Sequence, residues 1–357
     1  MTASAATDID IALDLAEGRV VDVRITPRRL PLIGALVAGR SAQDMLKLVP
    51  RLFTLCATAH GIAAQTAVDA ARGTEVAPLV RRQRAGAVLA ERLVEQLRSV
   101  VTVSGLLERG QVAAAMRDVM RAAAVLASTA SATVQDPLRA IDLIERARDQ
   151  IGTAALDHPM DDPAAVRFSR SGAARLSIDN DLAVIGRLAR EGAGYASAPD
   201  LDGVVPETGP WSRASATEPR LADRPETTAA RLLARLDETA AIVPALRWLT
   251  VGEDDPPLAL AAVAFYRLGD GSGAAAVETA RGRLYHHVEL DAEGRVRRFQ
   301  CLAPTEWNFH PRGPLARMLL GATVALDRGG REAVARLIAA FDPCVGYRLT
   351  VRELADA

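Results

Sequence analysis

From Leu52 to about Ile151 helical patterns dominate, with Pro78 and Pro137 the only prolines, and this stretch limits the possible folds more than any other. Leu52 to Ala71 is rich in Ala and Leu, with Gly61 its one Gly or Pro. In Ala77 to Val103 and Gln111 to Ala127, apolar residues recur at spacings of three and four while Arg and Glu take the other face. Such spacings stack side chains on one face of a 3.6-residue helix, so these segments read as packed bundle helices. Ser41 and Asp44 open a shorter helix toward Arg51, and Asp136-Pro137 opens another after the main run.

Strand patterns flank this helical centre. Ile9 to Ile25 alternates polar and apolar around Glu17-Gly18, the period-two signature of a hairpin with one buried face. Gly282 to Leu290, a turn at Asp291 to Gly294, and Arg295 to Leu302 read as a second hairpin. Helical patterns also cover Thr227 to Thr239, Pro314 to Leu326 and Glu332 to Ala340. Residues 192–226 shift to Gly, Pro, Ser, Thr and Asp, with Pro199, Pro206, Pro210, Pro219 and Pro225, and read as an excursion without regular structure. The expectation is one helix-rich α+β domain over residues 1–357, with a central helical bundle and β hairpins near both ends.

Charge excludes several functions. Lys and Arg total 43 against 44 Asp and Glu, a formal net charge of −1, so no global field steers the chain to nucleic acid or an acidic membrane. Lys47 is the single lysine, which argues against Schiff-base chemistry, whereas the many arginines supply planar donors for anions. Three scattered cysteines, Cys56, Cys301 and Cys344, make no disulfide framework. Asp8, Asp10 and Asp14 stand where an export signal needs a basic start, and the longest uncharged stretches fall short of the roughly 18 apolar residues that span a bilayer. These features lead to the expectation of a soluble cytoplasmic protein.

Few motifs carry chemistry by themselves. Gly269-Asp-Gly-Ser-Gly273 lacks the Gly-Lys-Ser/Thr of a phosphate loop and reads as a turn. His286 and His287 are neighbours on a strand, point to opposite faces, and read as surface or cross-strand residues unable to chelate one ion together. Ser104, Ser128 and Ser131 lack the context of an activated nucleophile, and His158 has no recognisable partner. Cys301, on an alternating strand, reads as a small core residue. Cys56 and His60, four apart at a helix start, share one face, either as a thiol and imidazole that act together or as a buried Cys beside a satisfied His. Cys344 lies in a loop after a helix, between Asp342-Pro343 and Val345-Gly346.

In order along the chain, several segments resemble the large subunit of nickel-iron hydrogenases. They are Gly39 to Asp44, Arg51-Leu-Phe-Thr-Leu-Cys-Ala-Thr-Ala-His60, Glu278-Thr-Ala-Arg-Gly282, Cys301-Leu-Ala-Pro-Thr-Glu-Trp-Asn308 and Asp342-Pro-Cys344. The family's leading motif has two cysteines, and against it the first falls on Phe53 and the second on Cys56. In the closing motif the first cysteine is Cys344, the second is Tyr347 and the final His is Thr350. A nickel held by four thiolates, as the family implies, cannot form from what remains. The N-terminal proton-relay Glu of the family has no equivalent around Asp8 to Asp10.

With degraded nickel ligands and Trp307-Asn-Phe-His-Pro-Arg-Gly313 kept, the chain looks like the HupK/HoxV-type hydrogenase accessory proteins. That resemblance implies a hydrogenase large-subunit-like fold and a non-catalytic scaffold in nickel-iron hydrogenase maturation. It implies that Cys56 and Cys344, 288 residues apart, meet to hold iron as an Fe(CN)2CO unit without nickel. His60 would tune the Cys56 thiolate, and Arg281 and Thr305 would hydrogen-bond the diatomic ligands. The implied partners are a maturation chaperone of the HypC type, the iron-cyanide assembly machinery and the hydrogenase large-subunit precursor, with no C-terminal proteolysis. A metal-free chaperone that binds accessory partners through the inherited surface, and a zinc site at Cys56, His60 and Cys344, are the alternatives.

Overall fold

Alternation at the start of the chain gives β1 (Ile9–Ala16) and β2 (Arg19–Thr26), an antiparallel hairpin turning through Glu17 and Gly18, both at positive φ. Ile9, Ile11, Leu13 and Leu15 fall on one face and are buried. The computed structural model describes residues 8–26, 33–127, 135–158, 162, 166–217, 226–252 and 262–354. Ser128 and Ser131 lie outside them.

The helices that follow are α1 (Ile33–Val37), α2 (Ala42–Leu48), α3 (Ala57–Arg72), α4 (Pro78–Val103), α5 (Gly110–Ala127) and α6 (Gln135–Leu156). Ser41 caps α2 by accepting a hydrogen bond from the Asp44 N–H at 3.1 Å. The run from Leu52 is not helical at its start. Pro50 sits in a 3-10 turn over Val49–Leu52, the chain then extends through Phe53, and α3 begins only at Ala57. Next come α7 (Asp181–Glu191), α8 (Ala193–Ser197), α9 (Pro210–Thr217) and α10 (Thr228–Val251), the last continuing through Pro244. Helices α4, α5, α6 and α10 pack as the expected bundle. No helix among the described residues is long and apolar enough to cross a membrane.

The second hairpin is half of a larger sheet. β3 (Val263–Gly269), β4 (Ser272–Thr279), β5 (Gly282–Leu290) and β6 (Val296–Leu302) form an antiparallel meander, and the Gly269 to Gly273 cluster makes the β3–β4 turn. After it come α11 (Pro304–Asn308), α12 (Pro314–Leu319), α13 (Arg328–Phe341) and β7 (Tyr347–Glu353). β7 pairs in parallel with β1, so the two ends of the described chain close one three-stranded sheet. The excursion also differs from expectation. Pro210 starts α9, where a missing N–H costs nothing, and residues 205–212 are buried. Its residues 218–225 lie outside the described residues.

The central strands of the meander, β4 and β5, are buried on both faces. Ala275 and Val277 face α3 and the bundle, while Ala274 and Ala276 face Leu176, Ile185 and Trp307. α3 lies directly on β4 because both present small residues. A Cβ on Gly273 would stand 2.2 Å from the Ala71 nitrogen and 2.4 Å from the Ala67 carbonyl oxygen. Backbone cannot yield as a side chain can, so Gly273→Ala is expected to push α3 off the sheet at a cost of about 1–3 kcal/mol. Gly110→Ala, with nothing within 4 Å of the new Cβ, should be neutral or slightly stabilising. Denaturant unfolding of the two variants measures the difference.

Candidate functional site

Two helix ends carry the outer cysteines. Cys56 is the residue before α3 and takes the left-handed conformation (φ 56°, ψ 31°), uncommon for a side chain with a Cβ. Glu91 of α4 accepts hydrogen bonds from the N–H groups of Thr58 at 2.7 Å and Ala59 at 2.8 Å, satisfying the start of α3 and holding Cys56 in place. At the other end of the chain, α13 stops at Asp342, also left-handed at φ 54°, and Pro343 turns the backbone to Cys344. The Ile9 N–H then bonds the Gly346 carbonyl at 3.0 Å, so β1 anchors the loop two residues after Cys344.

Arg281 joins these ends. It sits in the β4–β5 turn, where the Thr279 hydroxyl donates to the Gly282 carbonyl at 2.8 Å and accepts from the Arg281 N–H at 3.2 Å. Its Nη1 donates to Cys56 Sγ at 2.9 Å, its Nη2 to Glu95 at 2.8 Å, and its Nε to the Asp342 carbonyl at 3.1 Å. One guanidinium therefore spans from the first thiol to the backbone two residues before the last. Thr305, in the first turn of α11, donates its hydroxyl to Cys344 Sγ at 3.1 Å and accepts from the Cys344 N–H at 3.4 Å.

The electrostatics of this pocket oppose each other. Burial pushes the Cys56 thiol up to about 12; Arg281 pulls it down, while Glu91, Glu95 and Cys344 push it further up. Burial works against the Arg281 charge, but Asp342, Cys56 and Glu95 together hold its pKa well above the usual arginine value. At neutral pH Cys56 is thus a neutral thiol beside a permanent cation, and a bound metal would have to displace its proton.

The 192–226 excursion supports the pocket from behind. A Cβ on Gly209 (φ 120°) would come within 2.9 Å of the Arg281 carbonyl oxygen, and one on Gly282 would meet the Thr208 side chain at 2.3 Å. Asn308 fixes Thr208 by accepting from its N–H at 3.1 Å and donating to its carbonyl at 2.9 Å. Two more buried arginines lie behind. Arg235 donates to the Ala340 carbonyl at 2.7 Å, its pKa lowered to about 10 by burial, and Arg231 pairs with Glu207.

His60 goes to a different set of partners. Its Nδ1 lies 3.0 Å from His286 Nε2 and 4.0 Å from Cys301 Sγ, and Phe53 stacks on its ring with centroids 3.3 Å apart and planes 5° from parallel. Of the reading of His286 and His287 as surface or cross-strand residues, the surface part needs correction: both are cross-strand residues but fully buried, because β5 is covered on its two faces. They do point to opposite faces, His286 toward His60 and His287 toward Ser272 at 3.1 Å. Burial drops the pKa of His286 to about 3 and that of His287 to about 4, keeping both neutral. Cys301 is half-buried and sits directly opposite His286 across β5–β6. A regular hairpin turning at Asp291 to Gly294 would set His286 opposite Phe299; the observed register, with its shift between Glu289 and Leu290, brings Cys301 there instead, so the sequence pattern alone does not signal the cluster. Nothing local in sequence announces Glu91, Glu95 or Asp342 as partners, since α4 reaches the pocket only through tertiary packing.

Comparison with known proteins agrees with this architecture. Residues 226–347 match the nickel-dependent hydrogenase family. The hydrogenase expression/formation protein HupK of Bradyrhizobium diazoefficiens is 43% identical over the whole of both chains. HoxV of Cupriavidus necator, also a hydrogenase expression/formation protein, is 31% identical over 92% of this chain and 93% of its own. The fold matches the nickel-iron-selenium hydrogenase of Desulfovibrio vulgaris Hildenborough with a TM-score of 0.64 at 19% identity, covering 92% of this chain and 94% of that one.

The thiol environments differ enough to be read chemically. At pH 8, alkylation followed by peptide mass spectrometry should label the half-buried Cys344 and Cys301 before the buried Cys56. Cys56 labelling should rise as pH climbs toward about 12. Because the folded state raises this pKa from 9.0 to about 12, the neutral thiol's stabilisation is complete below pH 9.0 and is lost as pH rises through about 12. Cys56→Ala should remove that part of the alkaline slope in denaturant unfolding.

Proposed function

Because the chain belongs to the HupK/HoxV family of hydrogenase expression/formation proteins, we propose that it is a non-catalytic scaffold in nickel-iron hydrogenase maturation that carries an Fe(CN)2CO unit on Cys56 and Cys344. A role in hydrogenase maturation follows from family membership. The observation that supports the iron reading is the reach of Arg281 from Cys56 Sγ at 2.9 Å to the Asp342 carbonyl at 3.1 Å, with Thr305 on Cys344 Sγ at 3.1 Å.

The donor set fits such a cargo. Iron with strong-field carbon ligands accepts soft thiolates, and the cyanide nitrogens, which carry partial negative charge, need hydrogen-bond donors. Arg281 supplies a charged, planar fork already fixed by Glu95 and Asp342, and Thr305 supplies a hydroxyl that turns about one bond. Both donors now point at sulfur and would turn to the diatomic ligands when the cargo arrives. His60 sets the place of the α3 start beside them through its contacts to Phe53 and His286.

Nickel is outside this reading on the chemistry of the residues. Phe53 and Tyr347 stand where the family's other two cysteines fall, one stacked on His60 and the other with its hydroxyl donating to the Ala335 carbonyl at 3.4 Å. With three cysteines in the chain, a four-thiolate nickel site has no ligands to draw on. The cost of ionising Cys56 in a buried pocket suits release: reprotonation of the thiol when the cargo leaves returns the pocket to its resting state. The partners that this role calls for are a HypC-type chaperone with the iron-cyanide assembly machinery on the supply side and the hydrogenase large-subunit precursor on the receiving side.

Infrared spectroscopy of protein isolated from cells that make the cyanide ligands tests this directly. Cyanide and carbonyl stretches are expected, lost in Cys56→Ala and in Cys344→Ala, and with the cyanide bands displaced in Arg281→Gln. Featureless spectra from wild-type protein, with maturation unaffected by the Cys56→Ala/Cys344→Ala pair, would contradict the iron role and favour a metal-free chaperone.

A further inference from the structure

His60, His286 and Cys301 come from three different elements, α3, β5 and β6, yet their donor atoms all lie within 4.8 Å of one another. His60 and His286 are buried, 5% and 0% exposed, while Cys301 is half-buried. Two aromatic rings fix the imidazoles: Phe53 lies flat on His60, and Phe299 meets His286 edge-on with centroids 5.1 Å apart. Cys301 and Phe53 also line a cleft of about 500 Å³ with Ile33, Gln300 and Glu306. The cluster is therefore pre-formed, rigid on its imidazole side, and connected to a cavity at its thiol.

We propose that His60, His286 and Cys301 form a second metal site, separate from the Cys56 and Cys344 pocket, for a borderline divalent cation of the zinc class. Two imidazoles and one thiolate are the ligand types that such ions take, and three protein ligands leave a fourth position for a water or an incoming group from the cleft. The distances are close to what the ion needs. With bonds of about 2.0–2.1 Å to nitrogen and 2.3 Å to sulfur at tetrahedral angles, the nitrogens stand about 3.4 Å apart and each about 3.6 Å from the sulfur. The structure has 3.0 Å between the nitrogens and 4.0 Å from His60 Nδ1 to Cys301 Sγ, each a few tenths of an ångström from those values, and all the donor atoms lie within 4.8 Å of one another, so a shift of the Cys301 side chain of about an ångström or less closes the site. On binding, the Cys301 thiol releases its proton to solvent, and the proton shared by His60 Nδ1 and His286 Nε2 is relocated to the other ring nitrogen of the imidazole that carried it, leaving both coordinating nitrogens with free lone pairs and both rings neutral.

The consequence reaches the first pocket through α3. His60 lies in the first turn of this helix and Cys56 immediately precedes it. An ion that ties His60 to β5 and β6 fixes the start of α3 and so the position of Cys56. The site itself does not depend on iron at Cys56 and Cys344, and the experiment separates the two.

Cobalt(II), which takes zinc's geometry and has visible spectra, is titrated into full-length protein carrying Cys56→Ala/Cys344→Ala. One equivalent is expected to bind with the intense visible bands of a tetrahedral ion and a thiolate-to-cobalt charge-transfer band, and zinc should displace it. Adding Cys301→Ser should remove the charge-transfer band, and either Cys301→Ser or His286→Gln should weaken binding more than about tenfold. Zinc should raise the melting temperature of the Cys56→Ala/Cys344→Ala protein and not that of the Cys301→Ser protein, a readout that does not require the His286 variant to fold. Cobalt that binds only when Cys56 and Cys344 are present, a charge-transfer band that survives Cys301→Ser, or no binding at all would overturn the site.

Discussion

A single buried guanidinium holds the two halves of this molecule's thiol pocket in register. Arg281 is almost entirely shielded from water, and leaving such a charge unpaired would cost several kcal/mol, on the order of 3–5. It is tolerated because Glu95, Asp342 and Cys56 each take one of its edges. Those partners come from α4, from the end of α13 and from the residue that opens α3, so the pairing ties distant segments to one point. The same arginine is a structural clamp at rest and, on the proposed function, the donor to an anionic group held by the sulfurs.

What surrounds Arg281 follows from that demand. Its turn must be tight, which Gly282 and Thr279 provide, and its far side must be sealed against water, which the segment around Thr208 and Gly209 provides. Asn308 then locks that segment through both of its amide atoms. A proline-rich stretch thus becomes a buried wall, and β7, pinned to β1, holds the loop carrying Cys344 against the opposite side.

Much of this could be read from residue order, and the limits have physical causes. The bundle helices, both hairpins and the turn at Gly269 to Gly273 follow from periodicity and turn chemistry that act locally. Cys56, Arg281, Thr305 and Cys344 could be named through the resemblance to hydrogenase large subunits, and the structure places Arg281 on Cys56 and Thr305 on Cys344. The excursion was read as lacking regular structure, but its five prolines exclude only a long helix or ladder, and Pro210 begins a short helix. β7 carries an alternating pattern in Tyr347 to Glu353, but its parallel partner lies at the opposite end of the chain. Glu91 and Glu95 act on the pocket only because α4 packs beside α3. His286 and Cys301 were treated singly, whereas the strand register makes them a pair.

On the proposed function, loss of two family cysteines converts rather than erases the site. Phe53 and Tyr347 replace thiols with rings that serve packing, one on His60 and one on α13. Cys56 and Cys344 remain, with Arg281 donating to the first and Thr305 to the second. The most direct measurement of that claim is iron-edge X-ray absorption on protein isolated with its cargo. The account predicts an iron shell of two sulfurs with short, linear carbon-based ligands, and one sulfur fewer in Cys344→Ser. A shell of nitrogen and oxygen alone, or an unchanged sulfur count in that variant, would contradict it.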